Sequence, residues 1–457
     1  MAGHGIYDKI YNRIPLGAQN ILMSCYGGML YRQRYGKQYQ AYLAYLKGKD
    51  YGDLDKELQY QNDEFLRFLK FAVENSPFYK EFYRDLDLRE IRSLADITKL
   101  RVLEKETFRR NLDRIYTIIS PSAGIKGFTG GTTGKSLMVL YTREDSQKRL
   151  AYLSFFEFRN GVRQGMRRAS FNGRQFIASG SKHKVFWRHN ILRKQKLYST
   201  FQMTNENLPY YVADLNRFKP QVVNGFVSAI YDLARYINEH DIPLAFKPVA
   251  VFTTSETLLP FHRSDIERAF QCPVRNQYSS GEGAPFITEC PEGNLHYNLD
   301  TGIIESCPDG QILVTGFHTH GTPLVRYAIG DSVTFAFDKA PCRCGCCHPL
   351  VESVEGRQVD YLVSRKKRKI SLSHLADVIK GMPNCISNMQ FIQDTIDAVT
   401  VKMVVDAQKY KPEFEDSLIA EMRYRFGDDL LLTIEKVDEI PREASGKYRL
   451  VINNVKE

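Results

Sequence analysis

The sequence predicts an α/β protein with mixed sheets and a small α+β appendage, and three patterns predict it. A strand, a polar elbow and a helix recur in the middle of the chain. A Val-Val strand near 220–225 runs into Gly225-Phe-Val-Ser228 and a helix through Tyr231–Ile237, and Val249–Thr254 runs into Ser255-Glu256 and a helix over His262–Phe270. That rhythm belongs to α/β sheets with ligands at the carboxyl ends of strands. From Asn276 it gives way to short strands and turns at Leu295–Asn298, Gly302–Glu305, Gln311–Thr315 and Leu324–Tyr327, which predict a distorted barrel or smaller sheet. From about 361 a helix near 372–380, a strand over Asp397–Val404, a helix near 411–425 and a strand over Leu431–Val437 read as a separate α+β unit. We therefore expect a large domain over 1–359 and a small one over 360–457, for which 457 residues leave ample room.

Taken in order, the chain opens with helices. Segments near 20–46 and 56–82 place Phe65, Leu66, Leu69 and Phe71 at the spacing of one helix face, and Ser76-Pro77 ends the second. Asp96–Leu100 and Leu103–Glu106 read as a short helical connector. It leads into Gly127-Phe-Thr-Gly-Gly-Thr-Thr-Gly-Lys-Ser136. Glycine lets consecutive N–H groups converge on an anion, hydroxyls add donors and Lys135 adds a mobile charge, so the stretch reads as a phosphate-holding loop. It is not a P-loop, because Thr129 stands where the first glycine of that pattern belongs. Leu137–Tyr141 follows as a strand, Thr142 to Asp145 as a helix cap, and a helix runs through Ala151–Gly161. Phe176–Ala178 reads as a further strand. Lys182–Lys196, with the only tryptophan, Trp187, reads as a solvated face or lid.

Composition narrows the function classes. Hydrophobic content of 43% with 25% charged residues is ordinary for a globular enzyme, and no apolar run reaches the ~18 residues of a membrane span. The N-terminus shows no signal-peptide pattern, so cytoplasm is expected. The formal charge of +10 points to anionic ligands or an anionic surface, yet no nucleic-acid-binding motif accompanies it. Nine cysteines, four of them between 342 and 347, read as metal-directed. Cys342 and Cys344 can turn thiolates to one ion, and Cys290 and His296 add a thiolate and an imidazole across a tight turn. Those four make a closed, structural zinc site, with Cys346, Cys347 and His348 as further candidates.

Four more stretches complete the pattern: Tyr278-Ser-Ser-Gly-Glu-Gly283, Arg326-Tyr-Ala-Ile-Gly-Asp331, Gly356-Arg-Gln-Val-Asp360 and Pro441-Arg-Glu-Ala-Ser-Gly-Lys447. With the Gly/Thr loop they stand in the order found in adenylate-forming enzymes, the acyl- and aryl-CoA ligases. With Cys342-Arg-Cys344 between the second and third, the chain most resembles the phenylacetate–CoA ligase-like branch, including homologues found with capsular-polysaccharide genes. The resemblance covers roughly residues 10–457. It implies a mobile C-terminal lid and an acid that attacks the α-phosphate of magnesium-ATP to give an acyl-adenylate.

On that resemblance, Thr129, Gly130, Gly131, Thr132, Thr133 and Gly134 cradle the phosphates and Lys135 assists pyrophosphate departure. Tyr278 lies along the adenine beside Ser279 and Ser280. Glu282 holds magnesium, as a carboxylate beside a triphosphate must hold a cation. The family usually has Gly after the tyrosine and Ser before the glutamate, where this chain has Ser279 and Gly281, so the turn geometry differs. Asp331 accepts the ribose hydroxyls and Arg357 contacts the nucleotide. Asp360 is the hinge or a capping aspartate, and Arg326 reads as a buried structural arginine. Lys447 bridges the attacking carboxylate and the α-phosphate, then swings away. Thr254, Ser255 and Glu256 are placed to meet the adenine, and Gly225, Phe226, Val227 and Ser228 to line the acyl pocket. The five cations Arg365–Lys369 read as a solvated loop or as a seat for the phosphate of coenzyme A, a carrier phosphopantetheine or a phosphorylated acceptor. The acceptor is coenzyme A, a carrier thiol or an amine, the last giving an amide. A non-catalytic nucleotide-binding regulatory module is the reading from another class. Oligomeric state is open, a dimer included.

Overall fold

The computed structural model describes residues 14–118, 120, 123–128, 138–172, 177, 184–308, 310–336, 340–355, 362–363, 375, 385–405, 407–426, 430–441 and 449–455. The Gly/Thr loop from Thr129 to Ser136, the segment with Arg357 and Asp360, the cation run Arg365–Lys369, most of the expected helix near 372–380, and Lys447 lie outside the described residues. So does all but Ile177 of the strand expected at Phe176–Ala178.

Helices α1 (Leu16–Arg34), α2 (Lys37–Gly48) and α3 (Leu54–Asn75) open the described chain. On α3, Phe65 and Leu69 are buried as their spacing predicts, Leu66 and Phe71 are only half-buried, Phe68 and Ala72 complete the buried face, and Ser76 ends the helix. Two short strands, β1 (Ile125–Phe128) and β2 (Met138–Tyr141), pair antiparallel and end level at Phe128 and Met138, so the Gly/Thr loop connects the two strand ends. Helix α4 (Arg143–Arg159) begins in a capping box between Thr142 and Asp145.

The first large sheet holds β3 (Arg168–Asn172), β4 (Trp187–Asn190), β5 (Gln195–Ser199), β6 (Val222–Phe226), β7 (Ala250–Thr254) and β8 (Val274–Arg275), in the order β4-β5-β3-β6-β7-β8. All neighbours are parallel except β4 on β5. Helices α5 (Leu208–Phe218), α6 (Val227–Glu239) and α7 (Pro260–Phe270) pack around it. The segment Lys182–Lys196, expected to be a solvated face or lid and described from Lys184, instead carries an edge strand, Trp187 to Asn190, with Gln195 onward its partner, and only its turn at Ile191–Lys194 is largely exposed.

Asn276 alone separates β8 from β9 (Gln277–Tyr278), where the chain crosses into a second, seven-stranded antiparallel sheet. That sheet adds β10 (Ile287–Glu289), β11 (Leu295–Tyr297), β12 (Gly302–Ser306), β13 (Gln311–Gly316), β14 (Tyr327–Phe335) and β15 (Leu350–Glu355), in the order β12-β13-β14-β15-β11-β10-β9. The expected strand at Leu324–Tyr327 begins three residues late, after a buried bend at Arg326 (φ +46°). Arg326 is structural: it is bidentate to Glu305 and also donates to the Leu100 carbonyl. The core between this sheet and α3 is continuous and apolar.

The C-terminal α+β region has β16 (Ile386–Thr395), β17 (Ala398–Val405), α8 (Glu413–Phe426), β18 (Leu431–Lys436) and β19 (Val451–Asn453). Its sheet runs β18-β17-β16-β19 over a core of its own that includes Phe391, Val401, Met403 and Met422. Among the described residues no helix is long and apolar enough to cross a membrane.

Candidate active site and metal cluster

The seam between the two large sheets gathers the polar residues. Tyr278, at the end of β9, donates its hydroxyl to Asp331 Oδ2 at 2.7 Å, although 53 residues separate them. Asp331 lies within β14 and not at its end. The turn from Ser279 to Phe286 then leaves β9. Ser280 Oγ accepts from the Gly283 and Ala284 amides at 3.1 and 3.0 Å, closing the turn from within. Glu282 is 2% exposed at its centre. Gly283 takes φ +108°, and a Cβ there would stand 2.3 Å from Thr319 Cγ2, so only glycine fits. Arg149 of α4 donates to the Gly283 and Ala284 carbonyls at 3.1 and 3.2 Å and holds the turn from outside. Sequence reasoning missed Arg149, which looks like any cation on a helix.

This turn sits against the strands that carry the Gly/Thr loop. Tyr141 of β2 donates its hydroxyl to the Gly281 carbonyl at 2.7 Å. A Cβ on Gly127 of β1 would stand 3.2 Å from the same oxygen. Burial pushes the Tyr141 hydroxyl up to about 12, with Arg149 pulling it down and Glu282 pushing it further up. The hydroxyl is therefore a permanent donor at neutral pH.

On the parallel sheet, Gly225 approaches β3 so closely that a Cβ would lie 2.0 Å from the Phe171 carbonyl oxygen. Phe226, Val227 and Ser228 follow as the elbow into α6. Glu256, on the next elbow, accepts from the Ser228 amide at 2.7 Å and from its hydroxyl at 3.0 Å. Its carboxylate thus caps α6, a favourable place for negative charge. Ser255 adopts φ +68° between Glu256 and Thr254. The adenine-side and pocket-side expectations therefore meet in one hydrogen-bonded pair.

The second polar cluster is closed. The ligand atoms of Cys290, His296, Cys342 and Cys344 all lie within 4.8 Å of one another. Cys290 and Cys342 are on opposite sides of a 52-residue gap, yet their sulfurs are 3.7 Å apart, and Cys344 Sγ is 3.4 Å from His296 Nε2. Around a tetrahedral zinc ion, bond lengths of ~2.3 and ~2.0 Å put ligand atoms about 3.8 Å (S to S) and about 3.6 Å (S to N) apart. Donor set and spacing both fit zinc. His296 Nδ1 lies 3.0 Å from the His348 carbonyl, which leaves Nε2 for the metal. Burial opposes the charged imidazole, while hydrogen bonds to Cys290 and Cys346 favour a proton on His296 that a zinc ion would displace. Burial likewise opposes the Cys290 thiolate, but His296 and the Asn294 and Glu292 amides hold that thiol down at about 6. Thiolate is the ligating form.

Of the further candidates, Cys346 borders the cluster, and none belongs to the set of ligand atoms within 4.8 Å of one another. Cys346 hydrogen-bonds His296 and His348 from beside the cluster. The Cys347 amide bonds the Tyr51 carbonyl at 2.8 Å, and His348 Nε2 pairs with Glu57 of α3 at 2.9 Å.

The fold is that of ligases that work through acyl-adenylates. The chain superimposes on 2-hydroxyisobutyryl-CoA ligase in its postadenylation state with TM-score 0.70, at 16% identity, over 89% of this chain and 91% of that one. The thioesterification state of the same ligase, with an acyl-adenylate and CoA, gives TM-score 0.55 at 17% identity over 89% and 91%. In sequence, the chain is 38% identical to Protein CapK of Staphylococcus aureus over 456 residues, covering 98% of this chain and 100% of that protein. The CapK C-terminal domain family matches residues 362–454. The chain belongs to the CapK family.

Proposed function

We propose that this chain activates a small carboxylic acid with ATP, releasing pyrophosphate, and transfers the acyl group from the adenylate to the thiol of coenzyme A. The observation that carries this reading is the buried Glu282 turn, held against the β1–β2 pair at Tyr141 and Gly127 and set beside the Tyr278–Asp331 pair. A triphosphate in the loop would have its phosphates toward Glu282 and its nucleoside toward Tyr278 and Asp331. The fold neighbours bind acyl-adenylates and CoA, which supports the same chemistry.

In this reading Asp331 accepts the ribose hydroxyls, and Tyr278, fixed by Asp331, lies along the base. Glu282 would hold magnesium, which supplies charge neutralisation of the phosphates. Lys135 and the hydroxyls of Thr129, Thr132 and Thr133 draw charge from the departing pyrophosphate, and Lys447 steadies the α-phosphate as the carboxylate oxygen attacks. The acid occupies the space beyond Gly225, Phe226, Val227 and Ser228. We divide the chain at 359/360, with the small domain turning about Asp360 after adenylation, while Arg357 follows the nucleotide. The Cys290–His296–Cys342–Cys344 zinc is structural, since its four protein ligands leave no position open. We place the reaction in the cytoplasm, where ATP, CoA and reduced cysteines coexist.

The test is a pyrophosphate-release screen over aryl, fatty and short hydroxy acids, followed by mass analysis of products with CoA and with amines. Release dependent on one acid and a mass gain on CoA are expected. An amide product instead would move the acceptor to an amine. ATP binding with no release from any acid would reduce the chain to a nucleotide-binding regulatory module.

A further inference from the structure

Helix α1 is turned inside out. Its polar residues face the protein: Gln19 accepts from Arg188 Nε at 2.6 Å, Asn20 Oδ1 from the His189 amide at 2.9 Å and Ser24 Oγ from the Ile191 amide at 3.0 Å. These bonds serve β4, an edge strand whose outer N–H groups would otherwise lack a partner. They also fix the rotation of the helix. Three of its large apolar residues consequently face out, Ile21 60% exposed, Leu22 51% and Met29 62%, while Leu16, Met23 and Leu30 are half-buried. Beside them the turn after β4 adds Ile191 at 56% and Leu192 at 69%, and Leu192 Cδ1 is 3.5 Å from where a Cβ on Gly28 would lie. Five large apolar side chains on one face are more than scattered surface hydrophobes.

The two segments that build this face are rich in cations and free of acids, although Arg168 and Lys196 pair with Glu157 and Asp214 from outside them. Residues 9–49 contain seven Lys or Arg and no Asp or Glu, and residues 158–205 contain eleven Lys or Arg and no Asp or Glu. These two acid-free stretches meet where α1 lies on β4. Arg32 follows the apolar stripe on α1 and is exposed, as is Lys194 after Leu192. Arg193, between them, stacks 4.0 Å over the Tyr31 ring. A second copy of the chain would bring cations against cations with no acid from either stretch to answer them. Nucleic acid would answer the charge but leave the aliphatic groups against phosphates.

We propose that this face seats the protein on an anionic bilayer surface, the aliphatic side chains entering the interface and the flanking cations meeting lipid phosphates. Such binding sums buried apolar area and attraction to anionic headgroups, and needs no spanning helix. It is independent of the reaction proposed above.

The test is flotation of the full chain with vesicles of phosphatidylcholine alone or mixed with phosphatidylglycerol, at low and high salt. Wild type is expected to float with the mixed vesicles, less at high salt, and hardly with phosphatidylcholine alone. Ile21→Asp with Met29→Asp should lower partitioning at least ~10-fold, and Arg32→Ala and Lys194→Ala about 5-fold each, one cation near the surface being worth roughly that factor. Melting temperatures should not move, because these side chains are exposed. No flotation of wild type overturns the proposal. So does flotation insensitive to the Ile21 and Met29 changes, which would mark a general polyanion face. A wild-type dimer that those changes separate, without vesicle binding, would make the face a self-interface and overturn it equally.

Discussion

The two polar clusters of the large antiparallel sheet hang from opposite ends of the same short strand. β10 is three residues, about 10 Å long. The Glu282 turn enters it, and the Cys290–Asn294 turn leaves it toward His296. One cluster closes on itself: four ligand atoms within 4.8 Å and a histidine oriented by a backbone carbonyl. The other does not close on itself: Glu282 and Asp331 are buried too, but the groups it would use lie on separate segments. On the reading proposed above, the contrast is a division of labour, in which a metal that does no chemistry would keep one end of β10 fixed while the other would offer Glu282 to magnesium.

The largest expected effect tests the open side. Lys447→Ala should cut pyrophosphate release by at least ~10²–10³ while sparing thioester formation from supplied acyl-adenylate; equal loss in both half-reactions would contradict the domain-swing role. Glu282→Gln should cost adenylation roughly 10²-fold with the zinc content and melting temperature of wild type. If zinc fell too, the two ends of β10 would be one unit and the contrast would fail. Asp331→Ala should weaken ATP binding about tenfold, the scale of one charge-assisted hydrogen bond; unchanged affinity in a binding titration would refute the ribose role.

Cys342→Ser probes the closed side. Metal analysis should find zinc largely lost. A deficit of about 2–3 kcal/mol would lower Tm by roughly 3–4 °C in a domain this large, and a full zinc complement would show that another thiol ligates. The smallest effect concerns His318, next to the Thr319 that packs on Gly283. It is buried and 3.1 Å from the Tyr42 hydroxyl, and burial pulls its imidazole down to about 3. The unfolded chain then binds a proton near pH 6.5 that the folded chain refuses until about pH 3, so stability falls as pH drops through that window. His318→Gln should flatten the Tm–pH profile there by a few degrees; an unaltered profile would put the titration elsewhere.

What was legible in the sequence was what is local. The β6 and β7 elbows announced themselves because a buried parallel strand is an apolar run that stops at polar residues, and the Thr142–Asp145 cap because both partners are three apart. The zinc quartet was readable from a C-x-C pair and a nearby Cys/His pair. The pairing of β11 with β15, His296 opposite Leu350, belongs to the sheet that brings them together. Strand β3 escaped notice because Arg168 looks like a surface cation until Glu157, on α4, is seen to neutralise it at 2.7 Å. β4 was misread for a similar reason: its outer N–H groups bond to side chains about 169 residues away. The Tyr278–Asp331 bond likewise depends on sheet order, which no spacing rule supplies.

The cover that α1 gives to β4 also bears on how far the chain can be shortened. Removing everything before Tyr35 would take away the side chains that satisfy the His189 and Ile191 amides and leave a bare strand at the rim of a six-stranded sheet. Such rims recruit one another, so a shortened chain would be prone to stacking into insoluble assemblies even with every reacting group intact.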